Sequence, residues 1–355
     1  MTMQYGDRVG VLGAVNADWQ SLALALAAFA QHDVHTVFQL GGLGLIPERV
    51  DWRDLPSAPE RTLAMHEQKL LFLDGPSDPV RLRFVPFDHA SELPWSWHRA
   101  EVRFVSGRIG YLPRGFRDEF ESEQKFAVLG GGESDAKERR VDDGDVEALG
   151  RGYADVQFTH LPPVADREVV EAPSQARVHR AFLAVRPRLL LATDTAFGAK
   201  TLAYATGLRT CFVCRVVTLP PVGGLGMVAA ILNTESLELE FIDDRGTQVE
   251  APEDITDLAT QVTGRWLLRT QSSQHLIDLD RGTWERIPGP QALRYDAPNS
   301  GALRTFEDCA VGERAFITTR SSDPLVDYLW AKTTLILSID RLADGDKPEE
   351  VYGVR

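Results

Sequence analysis

The chain has 355 residues, and at roughly 150 residues per domain this length favours two domains. Its 38 Lys and Arg residues against 52 Asp and Glu residues give a net charge of −14, which disfavours non-specific binding to nucleic acid. Hydrophobic residues make up 43% and charged residues 25%, a balance typical of globular proteins and not of disordered chains.

The cysteine content and the apolar stretches bear on location. Three cysteines are too few for a disulfide framework. The most apolar stretch, LALALAAFA at 22–30, is far shorter than the roughly 20 residues that span a bilayer, and the first residues lack the pattern of a secretory signal. We therefore expect a cytoplasmic protein with neither membrane nor nucleic acid as a partner.

The first forty residues predict a strand, a helix and a second strand. RVGVLG at 8–13 and HTVFQL at 35–40 are β-rich runs bounded by glycine, which is typical of buried strands. Between them, Trp19, Leu22, Leu26 and Phe29 recur at helical spacing. A strand–helix–strand unit of this length indicates a parallel sheet.

The alternation continues through the first two thirds of the chain. Further strands are predicted at 69–74, 154–160 and 188–193, helices near 143–150 and 174–185, and three consecutive strands within 211–242. The polar, acidic segment 243–264 marks a boundary, and short strands separated by turn signals follow it. We predict one domain over 1–245, a small mostly β domain over 246–345 and a tail over 346–355.

Five short strings, each at the end of a predicted strand, carry a family resemblance. They occur in the order Gly13-Ala14-Val15-Asn16, Gly41-Gly42, Gly75-Pro76-Ser77-Asp78, Thr159-His160-Leu161-Pro162 and Thr193-Asp194. In order and setting they resemble the five motifs of the calcineurin-like metallophosphoesterases. The resemblance covers roughly residues 6–242 and implies a four-layer α/β/β/α sandwich, with the small β domain appended.

The same strings depart from the family at nearly every metal-site position. The resemblance implies two divalent metals that activate a bridging hydroxide, held by Asp, Asn and His side chains. Here Ala14 and Asn16 replace an Asp and a His, Gly42 replaces the bridging Asp, and Pro76 and Ser77 replace the Asn ligand and the catalytic His. Only His160 is clearly retained.

Three functions are compatible with this pattern. The first is a pseudo-phosphoesterase that has lost two-metal hydrolysis and acts by binding, through a protein partner or self-association, in a scaffold or regulatory role. The second is a hydrolase with a remodelled metal site, for which His160, Asp194 and Asp78 are the weak metal candidates, with Asp18 and Asp74 nearby in sequence. The third is a sensor of a small phosphorylated or otherwise anionic ligand. We assign no catalytic residue and expect no cofactor; if one binds, a divalent metal such as Mn or Fe fits the family.

Three other motifs have a structural alternative to a functional role. The C-x-x-C of Cys211 and Cys214 lies within an apolar run, so packing is favoured over redox or zinc chemistry. The glycines at 130–132 follow a predicted strand without a helix-opening Lys-Ser/Thr, which favours a turn over a phosphate cradle. The segment WSWH at 95–98 is compatible with an aromatic binding surface or with a packed aromatic cluster.

Overall fold

The structure is a computed structural model that describes residues 4–44, 57–78, 102–104, 106–134, 137–163, 173–206, 209–223, 227–290, 292, 298–343 and 346. The aromatic segment 95–98 and the tail over 346–355, apart from residue 346, lie outside the described residues. Two compact units divide the chain, one within 1–164, 170–199 and 216–252 and the other within 165–169, 200–215 and 253–355.

The described residues form a mixed α/β structure with three sheets. The helices are α1 (Trp19–Ala30), α2 (Ser57–Met65), α3 (Asp143–Leu149) and α4 (Pro173–Val185). The strands up to residue 249 are β1 (Arg8–Leu12), β2 (Thr36–Gln39), β3 (Lys69–Phe72), β4 (Arg103–Phe104), β5 (Ile109–Tyr111), β6 (Arg117–Glu119), β7 (Lys125–Leu129), β8 (Val156–Thr159), β9 (Leu189–Thr193), β10 (Gly198–Thr206), β11 (Arg209–Leu219), β12 (Ala229–Asn233), β13 (Leu239–Ile242) and β14 (Gln248–Val249). The later strands are β15 (Arg265–Thr270), β16 (Ser273–Asp278), β17 (Thr283–Pro288), β18 (Ser300–Glu307), β19 (Phe316–Thr319), β20 (Leu329–Lys332) and β21 (Ile336–Leu342).

Two sheets with parallel centres contribute to the first unit. One has eight strands in the order β14-β13-β12-β1-β2-β3-β5-β4, and the other has six in the order β10-β11-β9-β8-β7-β6. β1, β2 and β3 run parallel, as do β7, β8 and β9. The parallel pairing of β1 and β2 is the arrangement that the strand–helix–strand pattern predicts.

Successive side chains of a strand point to opposite faces of its sheet, so the apolar side chains of the first unit are divided between separate cores. Strand residues of both sheets form one buried cluster that includes Val9, Phe38, Phe126 and Phe158. The rings of Phe38 and Phe158 stack at 4.5 Å between centroids. A second cluster joins the opposite face of the eight-stranded sheet to α1, and a third joins the six-stranded sheet to α3 and α4. Burial on both faces explains why these strands are apolar throughout.

Contact between α1 and β1 depends on a missing side chain. A Cβ at Gly10 would lie 2.8 Å from the ring of Phe29, so only glycine lets the helix pack this closely on the strand. Asp18 caps the helix, since its carboxylate accepts from the Ser21 N–H at 3.0 Å. Capping and apolar spacing together explain where α1 begins and which face it buries.

The second unit is built on a seven-stranded antiparallel sheet in the order β20-β19-β18-β17-β16-β15-β21. Its core contains Trp266, Leu268, Ile277 and Ile317. Residues 200–215 belong to this unit, where the backbone and hydroxyl of Thr201 both donate to Asp254 at 2.8 Å. Among the described helices of the chain, none is long and apolar enough to cross a membrane.

Candidate functional site

Four of the sequence-predicted site residues come together at the carboxyl ends of the parallel strands. A Cβ at Gly42 would lie 3.2 Å from the Ala14 Cβ, 3.3 Å from the Asn16 Oδ1 and 3.8 Å from the His160 Cε1. Carboxyl ends of parallel strands meet at one sheet edge, which is the usual place for ligand sites in α/β proteins. The strings that carry the resemblance therefore converge in space.

His160 is buried, and its ring is fixed by a hydrogen bond to the backbone. Its Nδ1 lies 2.9 Å from the carbonyl oxygen of Leu40. Because a carbonyl only accepts, Nδ1 carries a proton, and in the neutral form of the ring Nε2 then keeps its lone pair. Burial lowers the pKa of His160, which favours this neutral form.

Pro76 lies beside His160, but Ser77 does not take part in this cluster. A Cβ at Gly132 would lie 2.9 Å from the Pro76 Cδ and 3.1 Å from the His160 Cδ2. Ser77 is exposed. The third string therefore contributes an apolar ring to the site, with no side-chain donor or acceptor from Pro76.

Asp78 ties two of the loops together through backbone amides. Its Oδ2 accepts from the N–H groups of Gly42, Leu43 and Gly75 at 2.8–3.2 Å, and its Oδ1 accepts from Gly44 at 2.9 Å. Burial raises the pKa of Asp78 to about 6, although the amides act in the opposite direction. These contacts give the Asp78 carboxylate a structural role in joining the loops after β2 and β3.

Asp74 is neutralised by a buried guanidinium that the sequence did not single out. The Nε and Nη2 of Arg114 donate to the Asp74 Oδ2 at 2.9 and 2.6 Å, and the Tyr111 hydroxyl donates to Oδ1 at 3.1 Å. Arg114 also bonds the Asp145 carboxylate through Nη1 at 2.7 Å. Each of these three charged side chains is at most 6% exposed.

Every N–H of Arg114 has an acceptor. Besides the two carboxylates, its Nη1 donates to the carbonyl of Arg140 at 2.6 Å and its Nη2 to that of Arg139 at 2.9 Å. The five N–H groups of the guanidinium therefore make five hydrogen bonds to four acceptor atoms, since the Asp74 Oδ2 accepts two of them. Burial lowers the pKa of Arg114, but the two carboxylates outweigh it and the pKa rises. We call Asp74, Arg114 and Asp145 the buried triad.

The glycine run at 130–132 packs against this triad. A Cβ at Gly130 would lie 2.2 Å from the Asp74 Oδ1, and one at Gly131 would lie 2.6 Å from the Arg114 Cζ. Gly131 also has a φ of +86°, which L-residues rarely adopt. The run is a loop whose Gly131 N–H donates to the Asp74 carbonyl at 2.7 Å, and its glycines make room for Asp74 and Arg114.

Asp194 lies at the surface and is used locally. It is exposed, and its Oδ1 accepts from the Thr195 N–H at 2.6 Å. The preceding residue, Thr193, connects two other segments. Its hydroxyl accepts from the Ala14 N–H and donates to the Leu219 carbonyl, both at 3.1 Å. Asp194 is therefore exposed just beyond β9, whereas His160 is buried.

The residues present do not fit a two-metal centre. Among the described residues, no group of three or more His, Cys, Asp or Glu side chains could hold a metal ion. The Asp78 and Asp74 carboxylates are engaged by backbone amides and by Arg114. Ala14 and Gly42 have no donor atoms to replace them.

Two further sets of reactive side chains belong to the second unit. Cys211 is exposed and Cys214 is buried, and neither forms a disulfide, in keeping with opposite faces of a strand. In the second unit, the Nδ1 of His275 accepts from the Trp284 Nε1 at 3.2 Å, so its Nε2 donates to the Ser273 hydroxyl at 3.0 Å. Burial lowers the pKa of His275 to about 3. A histidine in this tautomer cannot act as a base toward Ser273.

Comparisons with known proteins found similar structures only. No family model and no curated protein matches the chain. A solved structure from Thermus thermophilus is 14% identical and covers 67% of this chain and 99% of its own, with a TM-score of 0.43. An archaeal phosphodiesterase is 13% identical, covers 66% and 99%, and has a TM-score of 0.34. A dimetal phosphatase from Danio rerio is 10% identical, covers 66% and 95%, and has a TM-score of 0.39. At these identities and TM-scores, the similarities do not indicate an activity for this chain.

Proposed function

We propose that the first unit is a metallophosphoesterase-like four-layer α/β/β/α sandwich that has lost two-metal phosphoester hydrolysis and acts by binding, in a scaffold or regulatory role. The observation that carries this proposal is the engagement of the site carboxylates. Asp78 is saturated by four backbone amides and Asp74 by Arg114 and Tyr111. The cytoplasmic location expected from the sequence stays a prediction.

Charge at the site supports the same conclusion. A metal cation binding at Asp74 would have to displace or approach the Arg114 guanidinium, whose Nη2 lies 2.6 Å from the carboxylate. Two cations on one carboxylate repel each other strongly in a buried setting. Breaking the existing pair would also leave a buried charge without its partner, which typically costs about 3–5 kcal/mol.

Metal analysis and activity assays test the proposal directly. We expect the purified chain to hold less than stoichiometric metal after dialysis against Mn²⁺. We also expect no phosphatase or phosphodiesterase turnover with Mn²⁺ present. The contrary result is stoichiometric metal with turnover that His160→Ala abolishes and His35→Ala, at a largely exposed histidine, leaves intact. That outcome would establish the remodelled hydrolase instead.

A small anionic ligand is tested separately by thermal denaturation with inorganic phosphate and with nucleotides. If the chain acts by binding a protein partner, we expect none of these ligands to raise its Tm. A rise in Tm that saturates with ligand concentration would favour the sensor, and His160→Ala would then be expected to reduce it.

A further inference from the structure

The second unit contains a small cavity on the inner face of its sheet. Its walls come from β17, β19 and β20 and from residues 298–299, and they include the side chains of Trp284, Ile317 and Leu329. The space measures about 340 Å³, and part of it is open to solvent. The enclosed part therefore has room only for a group of a few non-hydrogen atoms. Apolar walls with a few polar groups are typical of small-molecule sites.

Strand pairing sets the apolar walls of this cavity. In the register of β19 and β20, Ile317 lies opposite Ala331 and Thr319 lies opposite Leu329. Directly opposed side chains of an antiparallel pair project to the same face of the sheet. Trp284 and Ile317 both belong to the core of this unit, so this face is the inner one. A ligand in the cavity would therefore be largely shielded from water.

Arg286 brings a positive charge into this apolar wall. It lines the cavity and is only 6% exposed. Its backbone N–H donates to the Asn299 carbonyl at 2.6 Å, and its Nη1 donates to the Asn299 Oδ1 at 3.3 Å. A guanidinium has five N–H groups and bonds several acceptors at once. An anion in the cavity can therefore share the Arg286 side chain with Asn299.

The charge of the described walls favours an anion. Among the described residues that line the cavity, none is an aspartate or a glutamate. Burial lowers the pKa of His275, which lies opposite Arg286 in the sheet, and the charge of Arg286 acts in the same direction. The positive field of Arg286 therefore reaches its neighbours. A single guanidinium neutralises one negative charge, and a buried excess charge is costly, so a monoanion fits better than a dianion.

We propose that this cavity binds a short aliphatic monocarboxylate, such as propionate or butyrate. The carboxylate bonds the Arg286 guanidinium, whose planar fork matches two carboxylate oxygens. The hydrocarbon chain packs against Ile317 and Leu329, and Thr319 supplies a hydroxyl to the same wall. The site lies in the second unit alone, so it is independent of whether the first unit hydrolyses phosphoesters.

A nuclear magnetic resonance titration of the full chain with butyrate tests the site. The indole N–H signal of Trp284, assigned with Trp284→Phe, should shift and saturate. Butyramide has nearly the same shape without the charge, so we expect its Kd to be at least tenfold higher, because charge-assisted hydrogen bonds are stronger than neutral ones. Inorganic phosphate, largely a dianion above pH 7.5, should bind more weakly than butyrate.

Two variants locate the binding within the cavity. Arg286→Gln should raise the Kd for butyrate at least tenfold, because it removes the charge that the ligand neutralises. Arg304→Gln is the matched control, because Arg304 is an exposed arginine of β18 that does not line the cavity. Ala331→Leu leaves Arg286 in place and fills the cavity from β20, so it should abolish binding.

Four results would overturn the proposal. The first is a Trp284 signal that does not saturate with butyrate up to about 50 mM, well beyond a millimolar Kd. The second is butyramide binding as tightly as butyrate, and the third is phosphate binding more tightly; both use the wild-type chain and do not depend on a variant that folds. The fourth is an unchanged Kd in Arg286→Gln and Ala331→Leu while circular dichroism shows both variants folded.

Discussion

Removing the guanidinium from the buried triad is the sharpest test of the site as described. In Arg114→Met the side chain keeps similar length and apolar volume but loses five donors. Asp74 then retains only the Tyr111 hydroxyl, and Asp145 retains the Asp142 N–H at 2.9 Å. Two buried carboxylates lose their counter-ion, so the free energy of unfolding should fall by about 3–5 kcal/mol.

Urea denaturation followed by far-UV circular dichroism measures this effect. Because the chain has two units, their transitions can separate, and only the one that reports the first unit should shift. Arg8→Met is the matched control: Arg8 bonds Glu240 at 3.0 Å with both side chains more than one third exposed, and its loss should cost less than about 1 kcal/mol.

A double variant distinguishes charge loss from lost packing. Adding Asp74→Asn to Arg114→Met removes one of the uncompensated charges, so the double variant should be more stable than the sum of the two single effects predicts. An Arg114→Met chain that loses less than about 1 kcal/mol, like the control, would refute the reasoning that the triad holds these loops.

Three further changes probe the neighbouring contacts, each by urea denaturation. Gly131→Ala should lower the free energy of unfolding by about 2 kcal/mol or more, because the added Cβ meets a strained φ and clashes with Arg114. Gly6→Ala is the control: Gly6 has a φ of +82° but no heavy atom nearer than 3.9 Å to an added Cβ, so the loss should be smaller. Equal losses would argue against the clash. Asp78→Asn should destabilise by about 1–3 kcal/mol, because one acceptor oxygen cannot serve four amides. The difference in stability between the wild type and Asp78→Asn should shrink as pH rises from about 4 to 7. Because the pKa of Asp78 is raised in the folded state, the folded wild type binds a proton in that window that the unfolded chain has released. A difference in stability that grows with pH would contradict the raised pKa. Gln157→Met should be neutral or stabilising, because both polar atoms of the buried amide lack a partner among the described residues; a loss above about 1 kcal/mol would reveal a bond to the amide.

Local patterns predicted the elements of the first unit closely where strands are apolar and helices periodic. The helix expected at 174–185 is observed as Pro173–Val185, and the strand expected at 69–74 as Lys69–Phe72. α2 was missed because it has little apolar periodicity, with only Pro59 and Leu63 buried among its described side chains. β10 was also missed, because the string that follows β9 was interpreted only as a motif.

The site shows the same division between local and distant information. Sequence comparison of the five strings identified Ala14, Gly42 and His160, which the structure brings together. It did not identify Arg114, because nothing in the local sequence shows that this residue lies opposite Asp74, 40 positions earlier. The glycine run at 130–132 was the available signal, since consecutive glycines after a strand indicate a backbone that something approaches closely.

The sequence by itself determined the acidic balance, the order of strands and helices, and the absence of donor atoms at Ala14 and Gly42. These properties depend on residue type and short-range periodicity, which are read one segment at a time. Only the tertiary structure decided how the remaining carboxylates are used. Whether Asp74 and Asp78 face a ligand or the protein depends on which groups the fold brings within hydrogen-bonding distance, and here those groups are Arg114 and four backbone amides.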